Sequence, residues 1–258
     1  MSWWGKILGG GFGFMMGGPL GAMMGMAFGH QLDKGMSTLE LDIGDPERTQ
    51  AAFFTATFSI MGYLAKADGQ VTKDEISMAR KIMAHMNLSP DQQHSAIELF
   101  NQGKSADFPL DEILAQFKQE CHRRRNLLQM FLEILISTAF ADGTLHSAEK
   151  RALQHISQAI GFNNAQLEHL LSMISAQQHY SQNQGGSAKV PLGDAYKALG
   201  IASTASDAEI KKAYRRQMSQ HHPDKLVSRG LPEEMIKLAT EKTQEIKAAY
   251  EQIKKSRL

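Results

Sequence analysis

Apolar and polar residues alternate differently in successive parts of this chain. From Ile7 to Gly29 the sequence ILGGGFGFMMGGPLGAMMGMAFG runs twenty-three residues without a charge, about 34 Å of helix and enough to span a bilayer. Residues 31–50 are mixed, with Gly35, Gly44 and Pro46, and read as a connector. From Ala51 to Ala176 the periodicity is helical throughout. Two stretches, AAFFTATFSIMGYLAKA and RNLLQMFLEILISTAFA, are apolar nearly all round and read as core helices packed on several sides. Lys66 and Asp68 close the first, and Arg123 to Arg125 with Glu133 bracket and interrupt the second, so neither reads as a membrane span. Gln177 to Ser187 is polar and reads as a flexible tether. Beyond Pro191 apolar residues return at three- and four-residue spacing. The expected fold is therefore all-α, with an anchor over 1–30, a connector over 31–50, a helical bundle over 51–176, a linker over 177–190 and a terminal helical hairpin domain over 191–258.

The apolar N-terminal run passes straight into His30, Gln31, Leu32, Asp33 and Lys34, with no shorter core followed by a small-residue cleavage site, and so reads as an uncleaved anchor. Glycines at 5, 9, 13, 17, 21, 25 and 29 keep an unbroken spacing of four. Such a stripe lets two helix backbones approach closely in lipid, where van der Waals packing replaces the hydrophobic drive. Gly9, Gly13, Gly17, Gly21 and Gly25 are the candidate self-association residues, and a homodimer through this helix is the expectation. Trp3 and Trp4 beside Lys6 suit an interfacial belt, and Pro19 bends the span. Lys6 and the amino terminus on one side balance Lys34 and Arg48 on the other, so charge does not fix the orientation.

Helix starts in the middle segment are marked by capping boxes, Thr72 with Glu75 and Ser89 with Gln92, the latter with Pro90 in the first turn. Ala65-Lys66-Ala67-Asp68-Gly69-Gln70-Val71 with Glu75 repeats as Ala139-Phe140-Ala141-Asp142-Gly143-Thr144-Leu145 with Glu149. Each copy joins a long apolar helix to an amphipathic one. The same spacing matches the second half of an EF-hand loop. Its first half would place Leu64 and Lys66, or Thr138 and Phe140, at ligand positions, which favours a structural turn; weak divalent-ion binding by Asp68, Glu75, Asp142 and Glu149 is the alternative.

In the terminal segment, Ser206 with Glu209 opens a helix that turns Ile210, Ala213, Tyr214 and Met218 inward and leaves Lys211, Lys212, Arg215 and Arg216 outside. That helix stops at His221-His222-Pro223, because proline excludes the helical region for the residue before it. Pro232, Glu233 and Glu234 restart a helix carrying Met235, Leu238, Ala239, Ile246, Ala249 and Tyr250 inward. Two long antiparallel helices with His222-Pro223-Asp224 at one tip follow.

Charge and composition narrow the chemistry. With 28 Lys plus Arg against 27 Asp plus Glu, the chain has no cationic excess for bulk nucleic-acid binding. A single cysteine, Cys121, excludes an intrachain disulfide and cysteine-based zinc sites. The run Cys121-His122-Arg123-Arg124-Arg125 reads as a solvated connection. The histidines show no paired metal-ligand spacing, and no nucleophile, base and acid set appears. Neither an enzyme nor a cofactor is expected.

The paired Ala-x-Ala-Asp-Gly turns resemble those of the TerB-like helical domain, which implies an interaction or sensing module. Tyr196 with Leu199-Gly200, Ile210-Lys211 with Ala213-Tyr214-Arg215, His222-Pro223-Asp224-Lys225, and Glu245-Ile246 with Ala249-Tyr250-Glu251 closely resemble the J-domain of DnaJ-type co-chaperones. That resemblance implies that His222, Pro223 and Asp224 contact a DnaK-type ATPase chaperone and trigger ATP hydrolysis. Lys211, Lys212, Arg215, Arg216 and Lys225 would complete the docking surface. Thr243 stands where J-domains generally carry Phe, and the glycine- and cysteine-rich regions of full DnaJ architectures are missing, so independent binding of unfolded substrates is not expected. Anchor, TerB-like middle and J-domain together resemble the membrane-anchored DnaJ-like proteins of Gram-negative bacteria. They imply an inner-membrane, single-pass protein that influences envelope and capsule signalling, with a periplasmic N-terminus and cytoplasmic C-terminal domains, since DnaK needs ATP. The alternative function is a membrane signalling scaffold acting mainly through the TerB-like domain.

Overall fold

The structure, a computed structural model, describes residues 20–23, 45–67, 83, 88–140, 143–184 and 192–257, and these are helices and turns without a strand. In chain order the helices are α1 (Asp45–Ala65), α2 (Pro90–Gly103), α3 (Leu110–Glu120), α4 (Arg125–Ala139), α5 (Ser147–Ala159) and α6 (Asn164–Gln184) of the bundle. The terminal module contains α7 (Leu192–Ala198), α8 (Asp207–His221), the short α9 (Pro223–Val227), a 3-10 turn at Glu233–Met235 and α10 (Ile236–Ser256). No helix among the described residues is long and apolar enough to cross a membrane. Of the N-terminal apolar run only Leu20–Met23 is described; Leu20 and Met23 are buried, and the Leu20 N–H donates to Gln116 Oε1 at 2.8 Å.

Helix α1 is the central strut of the bundle, because its apolar residues leave no face for water. Ala52, Phe53, Ala56, Phe58, Ile60 and Met61 are fully buried, and the Thr57 and Ser59 hydroxyls donate back to Phe53 O and Thr55 O at 2.7 Å, which satisfies them without outside partners. Phe53, Phe117 and Phe131 from α1, α3 and α4 meet in one aromatic cluster, with Phe117 and Phe131 centroids 4.6 Å apart. Helix α2 lies against α1 backbone to backbone: a Cβ at Gly62 would stand 1.9 Å from Phe100 O, and one at Gly103 would stand 1.7 Å from Ser59 O. Both expected capping boxes that fall within the described residues form. Ser89 Oγ accepts from Gln92 N at 3.3 Å, and Ser206 Oγ from Glu209 N at 3.4 Å.

Within the terminal module α7, α8 and α10 enclose a small core of Tyr196, Leu199, Ile210, Ile246, Ala249 and Ile253. Tyr214 and Tyr250 stack across the hairpin at 4.2 Å. Arg257 closes the far end, where its guanidinium donates to the Tyr196 hydroxyl, Asp207 Oδ1 and Ala205 O. Thr243 is buried and donates to Thr240 O at 2.8 Å, so the hydroxyl in place of a phenyl ring is satisfied within its own helix.

The inward face of α10 is shared between two cores. Ile246, Ala249 and Ile253 belong to the hairpin, whereas Met235 and Ala239, with Leu226 and Leu231, join the apolar core of the bundle. Residues 177–184, where composition predicts the tether to begin, are the last turns of α6. Gln177 is buried there and donates to Ala198 O at 3.2 Å.

At this seam lies a buried ionic cluster. The Glu133 carboxylate, 4% exposed, receives His221 Nε2 at 2.9 and 3.0 Å and Gln129 Nε2 at 2.8 Å, with Lys242 Nζ 3.6 Å away. His221 Nδ1 faces Gln217 O at 3.0 Å. Both ring nitrogens thus lie within hydrogen-bond distance of oxygen acceptors, one a carbonyl of its own helix and the other a carboxylate of α4. Burial pushes the Glu133 carboxyl upward, but the charges of His221 and Lys242 and the hydrogen bonds from His221 and Gln129 outweigh it and hold it at about 2.

Two outcomes follow for stability. Gly62→Ala should destabilise the chain by roughly 1–3 kcal/mol, since the added methyl meets backbone rather than a movable side chain, and should lower the urea unfolding midpoint. Glu133 has a folded-state value of about 2 against an ordinary 4.5. Its contribution, on the order of 3 kcal/mol, is therefore present above pH 4.5 and is lost as pH falls toward 2. Wild type should be more stable than Glu133→Gln at pH 6, and the gap should narrow as unfolding is measured at successively lower pH; a gap that is constant with pH would contradict the assignment.

Candidate functional site

The terminal hairpin places its His-Pro-Asp sequence where α8 ends. Ser206 starts α8 through its capping box, and after fifteen helical residues Pro223 stops it by forcing His222 into extended backbone, φ −61° and ψ 123°. Pro223 is then the first residue of α9, where its fixed φ suits a helix start and its missing N–H leaves nothing unpaired. The result is a tight corner with three adjacent side chains on its outer side. The His222 side chain is 46% exposed and that of Asp224 is 91% exposed, and His222 Nδ1 has no hydrogen-bond partner, with Asp224 Oδ2 4.0 Å away. Lys225 Nζ donates to Ser219 Oγ at 2.8 Å and ties the corner back to α8.

Lys211, Lys212, Arg215 and Arg216 are all exposed on α8, so the structure brings the four cations and the corner onto one helix. Arg216 also borders a cleft of about 420 Å³ between α4, α6 and α8, whose rim carries Arg125 and His169 and no acidic side chain. The arrangement can offer a solvent-facing carboxylate and an imidazole at one end and a band of positive charge along its length. Such a surface suits an acidic partner bearing a guanidinium for Asp224.

Other candidates are placed differently. Among the described residues no group of His, Cys, Asp and Glu is set to hold a metal. Asp68, Glu75 and Asp142 lie outside the described residues, and Glu149 caps α5, its Oε2 accepting His146 N–H at 2.9 Å. Of the glycine stripe only Gly21 is described, so Gly9, Gly13, Gly17 and Gly25 lie outside. Cys121 is buried, and burial pushes its thiol up to about 12, against the pull of Arg124, which leaves it unreactive. In the basic run, Arg123 adopts φ 60° at the α3–α4 corner and Arg125 packs over the Phe162 ring at 4.5 Å.

Sequence reasoning missed the residues flanking the tip, namely His221, Glu133, Lys242, Leu226 and Leu231. One signal was available. Glu133 interrupts an otherwise apolar core helix, and a carboxylate there requires a cation from some other element.

Comparison with known proteins matches each part. Family models match for the co-chaperone DjlA transmembrane domain over residues 1–39, tellurite resistance protein TerB over 54–171 and the DnaJ domain over 194–257. Full-length relatives carry the name co-chaperone protein DjlA. That of Photobacterium profundum is 44% identical across 98% of this chain and 99% of its own. That of Coxiella burnetii is 45% identical, and that of Shewanella oneidensis 43%, each across the whole of this chain and 99% of its own. No solved structure matches. An N-terminal transmembrane domain, a TerB helical bundle and a C-terminal J-domain, in an order shared end to end with these relatives, identify the chain as a member of the DjlA co-chaperone family.

Proposed function

We propose that this chain recruits a DnaK-type chaperone to the inner membrane and stimulates its ATPase through the corner formed by His222, Pro223 and Asp224. The observation that carries this reading is the exposure of that corner at the end of a helix whose outer face carries Lys211, Lys212, Arg215 and Arg216. Asp224 supplies an ionised acceptor for a bidentate guanidinium, Pro223 fixes the bend, and His222 supplies a half-exposed imidazole ring. The four cations steer the encounter with an acidic surface, and Lys225 adds charge beside the tip.

Because the partner consumes ATP, the J-domain faces the cytoplasm and the residues before Ile7 face the periplasm. The spacing of Gly9, Gly13, Gly17, Gly21 and Gly25 supports a homodimer in the bilayer. Through the chaperone it activates, the protein acts on envelope and capsule signalling.

Full-length protein in lipid nanodiscs should accelerate single-turnover ATP hydrolysis by a DnaK-type chaperone, and His222→Gln should abolish the acceleration while leaving the melting temperature unchanged. Replacing Lys211, Lys212, Arg215 and Arg216 by Gln should instead raise the half-stimulating concentration by about tenfold or more and flatten its dependence on salt. If His222→Gln stimulates as well as wild type, the mechanism is wrong; if envelope phenotypes also survive it, the TerB-like domain acts as the scaffold.

A further inference from the structure

The tip sits between two anchors, and both belong to the seam with the bundle rather than to the hairpin's own core. Upstream, His221 is 2% exposed and bound at both ring nitrogens, by Glu133 of α4 and by Gln217 O of its own helix. His221 is the residue immediately before His222. Downstream, Leu226 is fully buried in the bundle core only three residues past Pro223, and Leu231 joins it there. Between them, Gly230 turns with φ 95° and passes so close to α1 that a Cβ would lie 2.8 Å from Thr49 Cγ2. Between His221 and Leu226, His222, Asp224 and Lys225 project outward.

From this geometry we infer that Glu133 is a positioning residue for the J-domain: through His221 it holds the His-Pro-Asp corner in the form that a DnaK-type chaperone engages. The inference rests on the function proposed above. Fixing a residue's backbone costs about 1–2 kcal/mol of conformational entropy, so a corner already held at both ends spends less of its binding free energy on ordering itself.

An ionic pair is not needed for adhesion, since apolar residues of the same volume hold a seam at least as well. What the carboxylate adds is direction. Two oxygens grip one ring nitrogen, Gln129 orients the carboxylate from the α4 side, and Lys242 approaches from α10, so one arrangement of α8 relative to α10 is favoured. The contact does not cover the working surface, because His222, Asp224 and the four cations of α8 all remain accessible. It therefore acts as a support and not as a brake.

The test uses full-length protein in nanodiscs and single-turnover ATPase stimulation across a range of its concentration, which separates maximal stimulation from the half-stimulating concentration. Glu133→Gln keeps the shape and removes the charge. It should lower maximal stimulation about fivefold and leave the half-stimulating concentration within about twofold, since the docking face is untouched. Glu133→Asp should recover most of the loss. In a His221→Gln background Glu133→Gln should have little further effect, as expected of a residue acting through another. Where Glu133→Gln does not fold at the assay temperature, His221→Gln carries the same expectation, because it leaves Glu133 partnered by Gln129 and Lys242.

Unchanged or raised maximal stimulation in the folded variants would overturn the inference, as would a loss confined to the half-stimulating concentration or effects that simply add. A wild-type chain that fails to stimulate, or one matched by His222→Gln, would overturn the proposed function instead, so the two failures are distinguishable.

Discussion

A single buried carboxylate governs how the two helical units of this protein relate. Glu133 lies in the middle of the apolar helix α4, where an unpaired charge would be costly, and its cations come from the other unit, His221 at the end of α8 and Lys242 in α10. The bundle therefore needs the hairpin to neutralise its own core, and the hairpin needs the bundle to cover Leu226, Leu231, Met235 and Ala239. Charge and apolar burial point to the same docked arrangement. This consistency between levels favours one structure over an ensemble of loosely tethered ones.

The consequences reach the tip directly. Residues whose side chains face inward at the seam are interleaved along the chain with residues that face solvent: His221 in, His222 out, Asp224 out, Leu226 in. Proline makes the alternation possible by ending α8 and starting α9 within two residues. A helical continuation through this point would rotate His222 by a fixed angle from His221 and would lose the corner. The same few residues thus hold the units together and present the chemistry.

Much of this architecture is legible in the sequence because its signals are local. Capping boxes at Ser89 and Ser206, the stop at Pro223 and the three- and four-residue spacing in α10 each depend on neighbours a turn away. The His222-Pro223-Asp224 corner and the exposed cations of α8 follow from the same local rules. The division of α10 between two cores was not legible, since periodicity tells which residues face inward and says nothing of what they face. Met235 and Ala239 therefore read as hairpin core, although they pack on the bundle. Residues 177–184 of the expected tether are helical for a related reason, while 185–190 lie outside the described residues. Gln177 to Gln184 is polar in composition, yet Gln177 is buried against Ala198 because α6 continues and carries α7 with it. Tertiary partners decide such segments, and no window of local sequence contains them.

Bundle and hairpin form one body with the corner held outward. Cys121 is buried with its thiol pushed up to about 12, so cysteines introduced at the exposed positions Arg151 on α5 and Gln244 on α10 can be spin-labelled without interference. Pulsed electron–electron resonance on the doubly labelled full-length protein measures the distance between the units. A docked hairpin gives a single narrow distance distribution, and a broad distribution characteristic of a freely swinging domain would show that the seam does not hold the two units together.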